Sequence, residues 1–245
     1  MVGRRHYGKG VLLLAAGLAA VGAVAFFVRA PLPDLTPWKA GPPKALWAAA
    51  LRQQEVWKGS PKQRIRFSYV PLREVSDHFL VAVLVGEDIN FFHHRGVDFQ
   101  AWPEAVQQWL EGRRLRGAST ITQQLAKNLF LSRERRLTRK LVELWLARHL
   151  ERHLGKRRIL ELYVNVAEFG PGLFGVEEAA KTYFGCSAAE LTPEQAAALA
   201  ATIPAPSRDN PKTATERFRA RQRVIAERAA AAGWLYREVR AIKAR

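Results

Sequence analysis

The stretch that decides the fold is residues 81–98, which read VAVLVGEDINFFHHRGVD. Ser76 can cap a helix whose apolar residues run over 79–85, and Glu87 and Asp88 come directly at the end of that helix. A carboxylate at that position lies at the boundary between an apolar core and the surface of the protein. Burial raises the pKa of a carboxylate and makes it a usable proton acceptor. An ordinary solvated helix end is the alternative interpretation.

Length and charge limit the kinds of protein this can be. The chain has 245 residues, enough for one domain or for one domain with a small second lobe. Its formal net charge of +17 points to an anionic partner, which can be a nucleic acid, an anionic lipid surface or a phosphorylated substrate. Cys186 is the only cysteine, so an intrachain disulfide and a cysteine-based metal site are excluded.

The N-terminal segment has the features of a membrane anchor. Residues 10–28 are uncharged and mostly apolar, and at ~1.5 Å per residue they nearly span the ~30 Å hydrocarbon core of a bilayer. Arg4, Arg5 and Lys9 precede this run and predict a cytoplasmic N-terminus. We therefore expect a cytoplasmic tail over 1–9, a transmembrane anchor over 10–29 and an exported domain. A cleaved signal peptide, with an Ala-x-Ala site over 23–25, is the alternative.

The rest of the chain predicts a mostly helical domain. Five prolines over 30–45 predict a stiff, extended linker, and the domain then runs over 46–245 and ends in basic helices. Residues 46–57 predict a short helix that either packs on the core or rests on the membrane surface. No convincing alternating strand pattern is present. Further helices are predicted over 98–112, 138–154, 156–166, 175–184, 193–203, 215–232 and 235–245, with a turn at 168–172.

Two polar clusters lie within this helical pattern. A basic loop over 113–120 leads into a helix where Thr120 and Gln123 have capping-box spacing, and such a helix start can receive phosphate oxygens. A solvated helix with a basic lead-in is the alternative. Glu143 shares a helix face with apolar residues, so it needs a partner or a purpose. Arg139 or Lys140 can be that partner in a structural ion pair, and a functional role stays equally open.

Five segments in one order along residues 70–223 carry a family resemblance. They are Glu87-Asp88-x-x-Phe91-x-x-His94-x-Gly96-Val97-Asp98, the stretch 117–128 (GASTITQQLAKN), Arg139-Lys140-x-x-Glu143, Lys156-x-x-Ile159-Leu160-x-x-Tyr163-Val164-Asn165, and Phe174-Gly175-Val176 with Ala179-Ala180 and Tyr183-Phe184-Gly185. Together they resemble the five motifs of the biosynthetic peptidoglycan glycosyltransferases, the family 51 type. The segment 163–172 is most similar to the monofunctional, membrane-anchored members. Any one motif is weak, but five in order are specific.

Departures from the family pattern are small. Ala118 stands where a second glycine is usual, Val164 replaces a common leucine, and Cys186 stands where a lysine is common. Neither the resemblance nor its neighbours supply Cys186 with a base, so we do not assign it a catalytic role. No Ser-x-x-Lys motif occurs in these 245 residues, so a penicillin-binding transpeptidase domain is not expected within them.

The resemblance implies a fold, a reaction and a location. The expected fold is mostly α, a lysozyme-like glycosyltransferase domain with a small membrane-facing lobe, preceded by one transmembrane helix. The expected enzyme is a peptidoglycan polymerase that elongates glycan strands from lipid II, forms β-1,4 linkages with inversion and releases undecaprenyl diphosphate. It would be a single-pass protein of the bacterial inner membrane with a periplasmic catalytic domain. Its partners would be lipid II, the growing glycan chain, the membrane and other cell wall synthesis or division proteins.

The resemblance also implies roles for individual residues. Glu87 would be the base that deprotonates the acceptor's 4-hydroxyl, and Glu143 would be the second catalytic carboxylate. Two roles are open for Glu143: orienting Arg139 or Lys140, or helping to hold a divalent cation such as Mg²⁺ at the donor diphosphate. No other metal site or cofactor is implied. The expected diphosphate-binding and cleft residues are Lys127, Arg135, Ser119, Gln123, Gln124, Arg139, Lys140, Asn128 and Asp88.

Two other classes of protein compete with this interpretation. A lysozyme-like hydrolase also uses two carboxylates on glycans, but the predicted anchor and the cationic cleft favour a lipid diphosphate substrate. A nucleic-acid-binding protein fits the charge, but no recognised DNA- or RNA-binding motif is present and the domain is expected outside the cytoplasm. The adjacent His93 and His94 do not share a helix face or an obvious ligand spacing, which disfavours a metal site there.

Overall fold

The computed structural model describes residues 22, 32–46, 49, 65–100, 119–131 and 137–245. The part of the chain that it describes is mostly helical, as predicted. Its longer helices are α1 (Asp77–Glu87), α2 (Ile121–Phe130), α3 (Leu137–His153), α4 (Lys156–Val166), α5 (Val176–Phe184), α6 (Pro193–Thr202), α7 (Glu216–Ala231) and α8 (Gly233–Ala244). Short 3-10 helices span Thr36–Trp38, Leu72–Glu74 and Phe91–His93, and residues 44–46 are also helical.

Helix α1 lies at the centre of the core. Every side chain over 79–85 is buried, and the helix packs against α6, α7 and α8. A helix enclosed on several sides needs apolar residues all round, which explains why this run has no polar face. Ser76 occupies the N-cap position, but its hydroxyl does not cap the helix as predicted. Instead Ser76 Oγ donates to the carbonyl oxygen of Leu191 at 2.9 Å, which joins the start of α1 to the loop before α6.

Two other helices begin at a threonine cap. At α6 the hydroxyl oxygen of Thr192 accepts from the backbone N–H of Gln195, and the Gln195 side chain accepts from the backbone N–H of Thr192, so a full capping box forms. At α2 only half of the box forms. Thr120 accepts from the backbone N–H of Gln123 at 3.2 Å, whereas Gln123 Oε1 accepts from the ammonium of Lys140 at 3.2 Å. The charged donor on α3 has displaced the local partner.

A small sheet corrects the prediction of a simple turn at 168–172. Its strands are β1 (Arg66–Phe67), β2 (Glu168–Gly170) and β3 (Leu173–Phe174), in the order β1-β3-β2. β2 pairs antiparallel with β3 around the predicted turn, and β1 joins β3 in parallel, with Arg66 opposite Leu173. Strands of two or three residues are too short to show alternation in the sequence, which is why the pattern missed them.

The proline-rich segment is packed on the domain from Leu35 onward, where the sequence predicted an extended linker. Leu35 and Trp38 are buried, and the Trp38 ring meets Phe130 edge-on at a centroid distance of 5.8 Å. Arg158 Nε donates to the carbonyl oxygen of Trp38 at 2.6 Å, and Arg158 Nη2 donates to that of Gly41 at 2.5 Å. Apolar side chains and these charge-assisted bonds outweigh the extended preference of the prolines.

Several predicted segments lie outside the described residues. These are the anchor over 10–28 apart from Gly22, the helix over 98–112 beyond residue 100, the loop over 113–120 up to residue 118, and most of the predicted helix over 46–57. Leu46 and Ala49 are buried, in agreement with core packing for these two residues. Among the described residues no helix combines the length and apolarity needed to cross a bilayer, so the anchor remains a prediction.

Candidate active site

Glu87 lies at the C-terminal end of α1 with both carboxylate oxygens bound. Gln124 Nε2 on α2 donates to Glu87 Oε2 at 2.7 Å, and Arg221 Nη2 on α7 donates to Glu87 Oε1 at 2.7 Å. The Glu87 side chain is 10% exposed. The carboxylate predicted at the edge of the core is therefore held in one orientation by donors from two other helices.

The surroundings of Glu87 shift its pKa in the direction that a general base needs. Burial raises the pKa of Glu87, whereas the charges of Arg221 and Lys127 and the hydrogen bonds from Gln124 and Arg221 lower it, and the net shift is upward. A carboxylate with a raised pKa binds a proton more readily near neutral pH while still losing it to solvent. This is the property that the sequence predicted from position alone.

Gln124 is in turn held by a third helix. Tyr163 on α4 donates its hydroxyl to Gln124 Oε1 at 3.0 Å, while the amide nitrogen of the same side chain faces Glu87. Tyr163 is among the largest fully buried side chains. Gln124 was predicted as a cleft residue, and the structure places it beside Glu87.

Arg221 was not predicted as a site residue. Its Nη2 also donates to the carbonyl oxygen of Gly86 at 2.9 Å, so the guanidinium is anchored to the last turn of α1 as well as to Glu87. A usable signal was present in the sequence. Arg221 lies three residues after Phe218 and four before Ile225, both buried, so it is a cation within the apolar stripe of α7. The same reasoning singled out Glu143.

Asp88 ties the first two motifs together. It is buried, its Oδ2 accepts from the backbone N–H of Ile121 at 2.9 Å, and both of its oxygens lie 3.0 Å from His94 Nε2. The backbone N–H of Gly96 donates to His94 Nδ1 at 3.1 Å, so the proton shared with Asp88 is on Nε2. Asp88 therefore supports the start of α2, and its predicted contact with substrate stays a prediction.

Gly96 provides a second tie between these motifs. Its carbonyl oxygen accepts from Thr120 Oγ1 at 2.7 Å. Gly96 has a φ of +88°, and a Cβ at this position would lie 2.9 Å from the carbonyl oxygen of Ala147 on α3. Only glycine fits this conformation and this close approach without strain. The loop after Glu87 is thereby fixed against both α2 and α3.

Glu143 lies in a second polar cluster with Lys140. Glu143 is buried, and Lys140 Nζ donates to its Oε1 at 2.5 Å. The same ammonium donates to Ser119 Oγ at 3.0 Å and to Gln123 Oε1 at 3.2 Å. The sequence left open whether Arg139 or Lys140 pairs with Glu143, and the structure shows that Lys140 does. Three predicted cleft residues, Ser119, Gln123 and Lys140, are brought together here with Glu143.

The charge of Lys127 interacts with both Glu87 and Glu143, the carboxylates of the two polar clusters. It is half-buried on α2, one turn beyond Gln123 and Gln124. Burial lowers the pKa of Lys127; the carboxylates of Glu143 and Glu87 oppose this shift, and the cations Arg139 and Lys140 reinforce it. The ammonium thus lies within electrostatic range of both predicted catalytic carboxylates. Asn128 follows on the same helix and is half-buried, whereas Arg135 lies outside the described residues.

The described residues do not make a convincing metal site around Glu143. No group of three or more His, Cys, Asp or Glu side chains with metal-holding geometry occurs among them. Glu143 is the one carboxylate among the described residues of this cluster, and its Oε1, Ser119 Oγ and Gln123 Oε1 all accept from the Lys140 ammonium. Further cations lie nearby, whereas Mg²⁺ binds through carboxylates and other oxygen ligands. These residues do not fit a divalent cation, so no chemical step is assigned to one.

A separate cavity of about 610 Å³ opens at the other end of α1. Asp77, His78, Tyr236, Arg240 and Lys243 are among its lining residues. Arg240 and Lys243 already form ion pairs with Asp77, at 3.2 and 2.6 Å. An 11-residue helix is ~16 Å long, so this cavity is remote from Glu87 and takes no part in the site.

The amino-acid sequence is similar to one family of known proteins over most of its length. The sequence model of the family described as Transglycosylase matches residues 53–230. Proteins named biosynthetic peptidoglycan transglycosylase are 48% identical in Shewanella amazonensis, over 63% of this chain and 64% of the relative, and 48% identical in Marinomonas sp., over 65% and 70%. The protein of that name in Aeromonas hydrophila is 38% identical over 82% of this chain and 80% of its own. The chain belongs to the Transglycosylase family.

Proposed function

We propose that this protein is a peptidoglycan polymerase that elongates glycan strands from lipid II for bacterial cell wall synthesis. The observation that carries the proposal is the carboxylate of Glu87, buried at the end of α1 and held at both oxygens by Gln124 and Arg221. Its relatives are named for the same activity. A sugar hydroxyl is a poor nucleophile, and a fixed base with a raised pKa meets that need.

The proposed reaction is a single displacement at the donor sugar. Glu87 accepts the proton of the acceptor's 4-hydroxyl. At the same time the 4-hydroxyl oxygen of the acceptor forms a bond to the anomeric carbon of the donor. The bond from that carbon to the diphosphate breaks with its electron pair, and undecaprenyl diphosphate leaves. Attack opposite the leaving group converts the α-linked donor to a β-1,4 linkage. Gln124 and Arg221 keep the carboxylate oriented, which contributes because alignment lowers the barrier.

The leaving group needs cations, because the diphosphate gains negative charge as it departs. Lys127 is proposed to meet this charge with Arg135. Ser119, Gln123, Asn128, Arg139 and Lys140 are proposed to line the same cleft. Of the two roles considered for Glu143, its contact with Lys140 favours orienting that cation.

The proposal also includes a location. The domain would be lysozyme-like with a small membrane-facing lobe, on the periplasmic side of the inner membrane, held there by residues 10–28. An anchor at the membrane keeps the site close to a substrate whose lipid part stays in the bilayer. The growing glycan chain and other wall-synthesis or division proteins would be its further partners.

The direct test is incubation of the purified full-length protein with labelled lipid II. We expect a ladder of glycan polymer with release of undecaprenyl diphosphate, separated from monomer by electrophoresis. A protein that shortens preformed glycan and leaves lipid II unpolymerised would be a hydrolase, which would contradict the proposal. Binding to DNA that weakens with salt, without polymerisation, would point to the nucleic-acid alternative.

The anchor leads to a prediction about the mature N-terminus. We expect residues 10–28 to be retained, because the uncharged run is long for a signal peptide and follows Arg4, Arg5 and Lys9. N-terminal sequencing of the protein isolated from membranes checks this. A mature chain that starts just after Ala25 would contradict the anchor.

Arg221 leads to a prediction about pH dependence. Arg221→Gln should lower the polymerisation rate near neutral pH by about 10-fold or more, because a charge-assisted hydrogen bond to Glu87 is lost. The charge of Arg221 is the largest influence that lowers the pKa of Glu87. Without it the Glu87 pKa rises, so the acid limb of the pH–rate profile should move to higher pH.

The matched control is Arg219→Gln, an exposed arginine two residues earlier on α7. It should leave both rate and profile unchanged, while both variants keep the melting temperature of the parent within a few degrees. An unmoved acid limb in Arg221→Gln would mean that Arg221 does not act on the base.

A further inference from the structure

The side-chain amide of Gln124 has nearly the same shape when it is rotated by 180°, so two orientations toward Glu87 fit the same space. In the observed orientation, Nε2 donates to Glu87 Oε2 at 2.7 Å. A rotation by 180° would place Oε1 against the carboxylate, which would replace a hydrogen bond by repulsion between two acceptors. The function of Gln124 at the base therefore depends on a group that distinguishes the two ends of its amide.

Tyr163 is placed to make that distinction. Its hydroxyl donates to Gln124 Oε1 at 3.0 Å, and the donated proton can be accepted only by the oxygen end of the amide. The side chain is 1% exposed and belongs to the core, so the hydroxyl has little freedom to move. Burial raises the pKa of Tyr163 well above its ordinary value, and the charges of Glu87 and Asp88 raise it further, which keeps the phenol protonated.

We propose that Tyr163 is a positioning residue for glycan polymerisation: its hydroxyl fixes the Gln124 amide so that the NH₂ group faces Glu87. The proposal rests on the proposed function of Glu87 as the base. The contacts run from Tyr163 on α4 through Gln124 on α2 to Glu87 on α1. The sequence motifs contain all three residues but do not show that they touch.

The first test is Tyr163→Phe, which removes the hydroxyl and keeps the buried ring. We expect the turnover of lipid II to fall about 3- to 10-fold, the scale of one neutral hydrogen bond, while KM stays the same. The acid limb of the pH–rate profile should move to higher pH, because the Glu87 carboxylate loses a correctly oriented donor. The other groups acting on Glu87, which are Arg221 and Lys127, are unchanged in this variant.

The second test is a double-mutant cycle with Gln124→Leu, which has no amide to orient. Tyr163→Phe should cause no further loss of rate in that background, since its whole effect passes through Gln124. A purely structural role of the hydroxyl would give the same loss in both backgrounds, and that result would overturn the proposal. Tyr236→Phe is the matched control, because it removes a hydroxyl bonded to His78 at the opposite end of α1 and should keep the parental rate and profile.

Glu87→Gln separates failure of this inference from failure of the proposed function. Polymerisation by Glu87→Gln at the parental rate would mean that Glu87 is not the base, and both proposals would fall. An inactive Glu87→Gln together with a Tyr163→Phe of parental rate and unmoved acid limb would overturn the role of Tyr163 alone.

Discussion

Glu87→Gln should give a folded, membrane-bound protein that still binds its donor but makes almost no glycan. Glutamine keeps the size of the side chain and can still accept from Arg221, yet its amide cannot take a proton from the acceptor's 4-hydroxyl. General base catalysis is typically worth ~10²–10⁴-fold, and loss of an essential proton acceptor should approach the upper end of that range. The measurement is the initial rate of polymerisation of labelled lipid II, with the melting temperature as the check of folding.

The neighbouring carboxylate provides the control for this substitution. Asp88→Asn should lose less rate and more stability, because Asp88 accepts hydrogen bonds from Ile121 and His94 inside the protein. An asparagine amide can accept at one end only, and a buried donor left unpaired costs about 1–3 kcal/mol. If Glu87→Gln polymerised lipid II near the parental rate while Asp88→Asn was folded but inactive, the base would be misassigned and the mechanism withdrawn.

Lys127→Ala should cut turnover by ~10²-fold or more, about 2.7 kcal/mol, the scale for removing one electrostatic stabiliser of a transition state. The ammonium lies within electrostatic range of Glu87 and Glu143 and is proposed to face the diphosphate as that group gains charge. Single-turnover rates with saturating lipid II separate this effect from weaker binding. Lys181→Ala is the matched control, since Lys181 is an exposed cation on α5 that forms an ion pair with Glu177, and the ion pair of an exposed lysine contributes little.

A conservative substitution at the same position tests the charge directly. Burial lowers the pKa of Lys127, so its positive charge is lost at a lower pH than for an ordinary lysine as the pH rises. Lys127→Arg keeps the charge at every accessible pH and should move the basic limb of the pH–rate profile upward. Parental rates in Lys127→Ala, with folding intact, would mean that the diphosphate binds elsewhere.

Helix positions followed closely from the sequence because their signals are local. The boundaries predicted for α4 are those observed, and α6 begins at the capping box formed by Thr192 and Gln195. Caps, glycines and apolar spacing act within a few residues of one another, so they need no knowledge of the fold. The burial of α1 was also predicted correctly, since an uninterrupted apolar run leaves no face for solvent.

The small sheet and the packed proline-rich segment did not follow from the sequence. β2 and β3 are three and two residues long, too short for a period to show, and β1 reaches them from about a hundred residues away. Trp38 lies in a proline-rich segment that prefers an extended conformation. The carbonyl oxygens of Trp38 and Gly41 nevertheless accept hydrogen bonds from Arg158 of α4, which hold the segment on the domain. Local preference was overridden at this point by contacts that exist only in the folded domain.

The sequence by itself determined the helical class of the domain, the position of Glu87 at the end of a buried helix, and Gln124 as a polar residue of the same cleft, but not Arg221. Only the tertiary structure decided which polar side chains contact Glu87 and Gln124. Arg221 reaches Glu87 across 134 residues, Tyr163 reaches Gln124 across 39, and the backbone N–H of Ile121 reaches Asp88 across 33. The physical reason is that composition and periodicity set which faces are buried, while the pairing of polar groups within the core depends on how whole helices pack against one another.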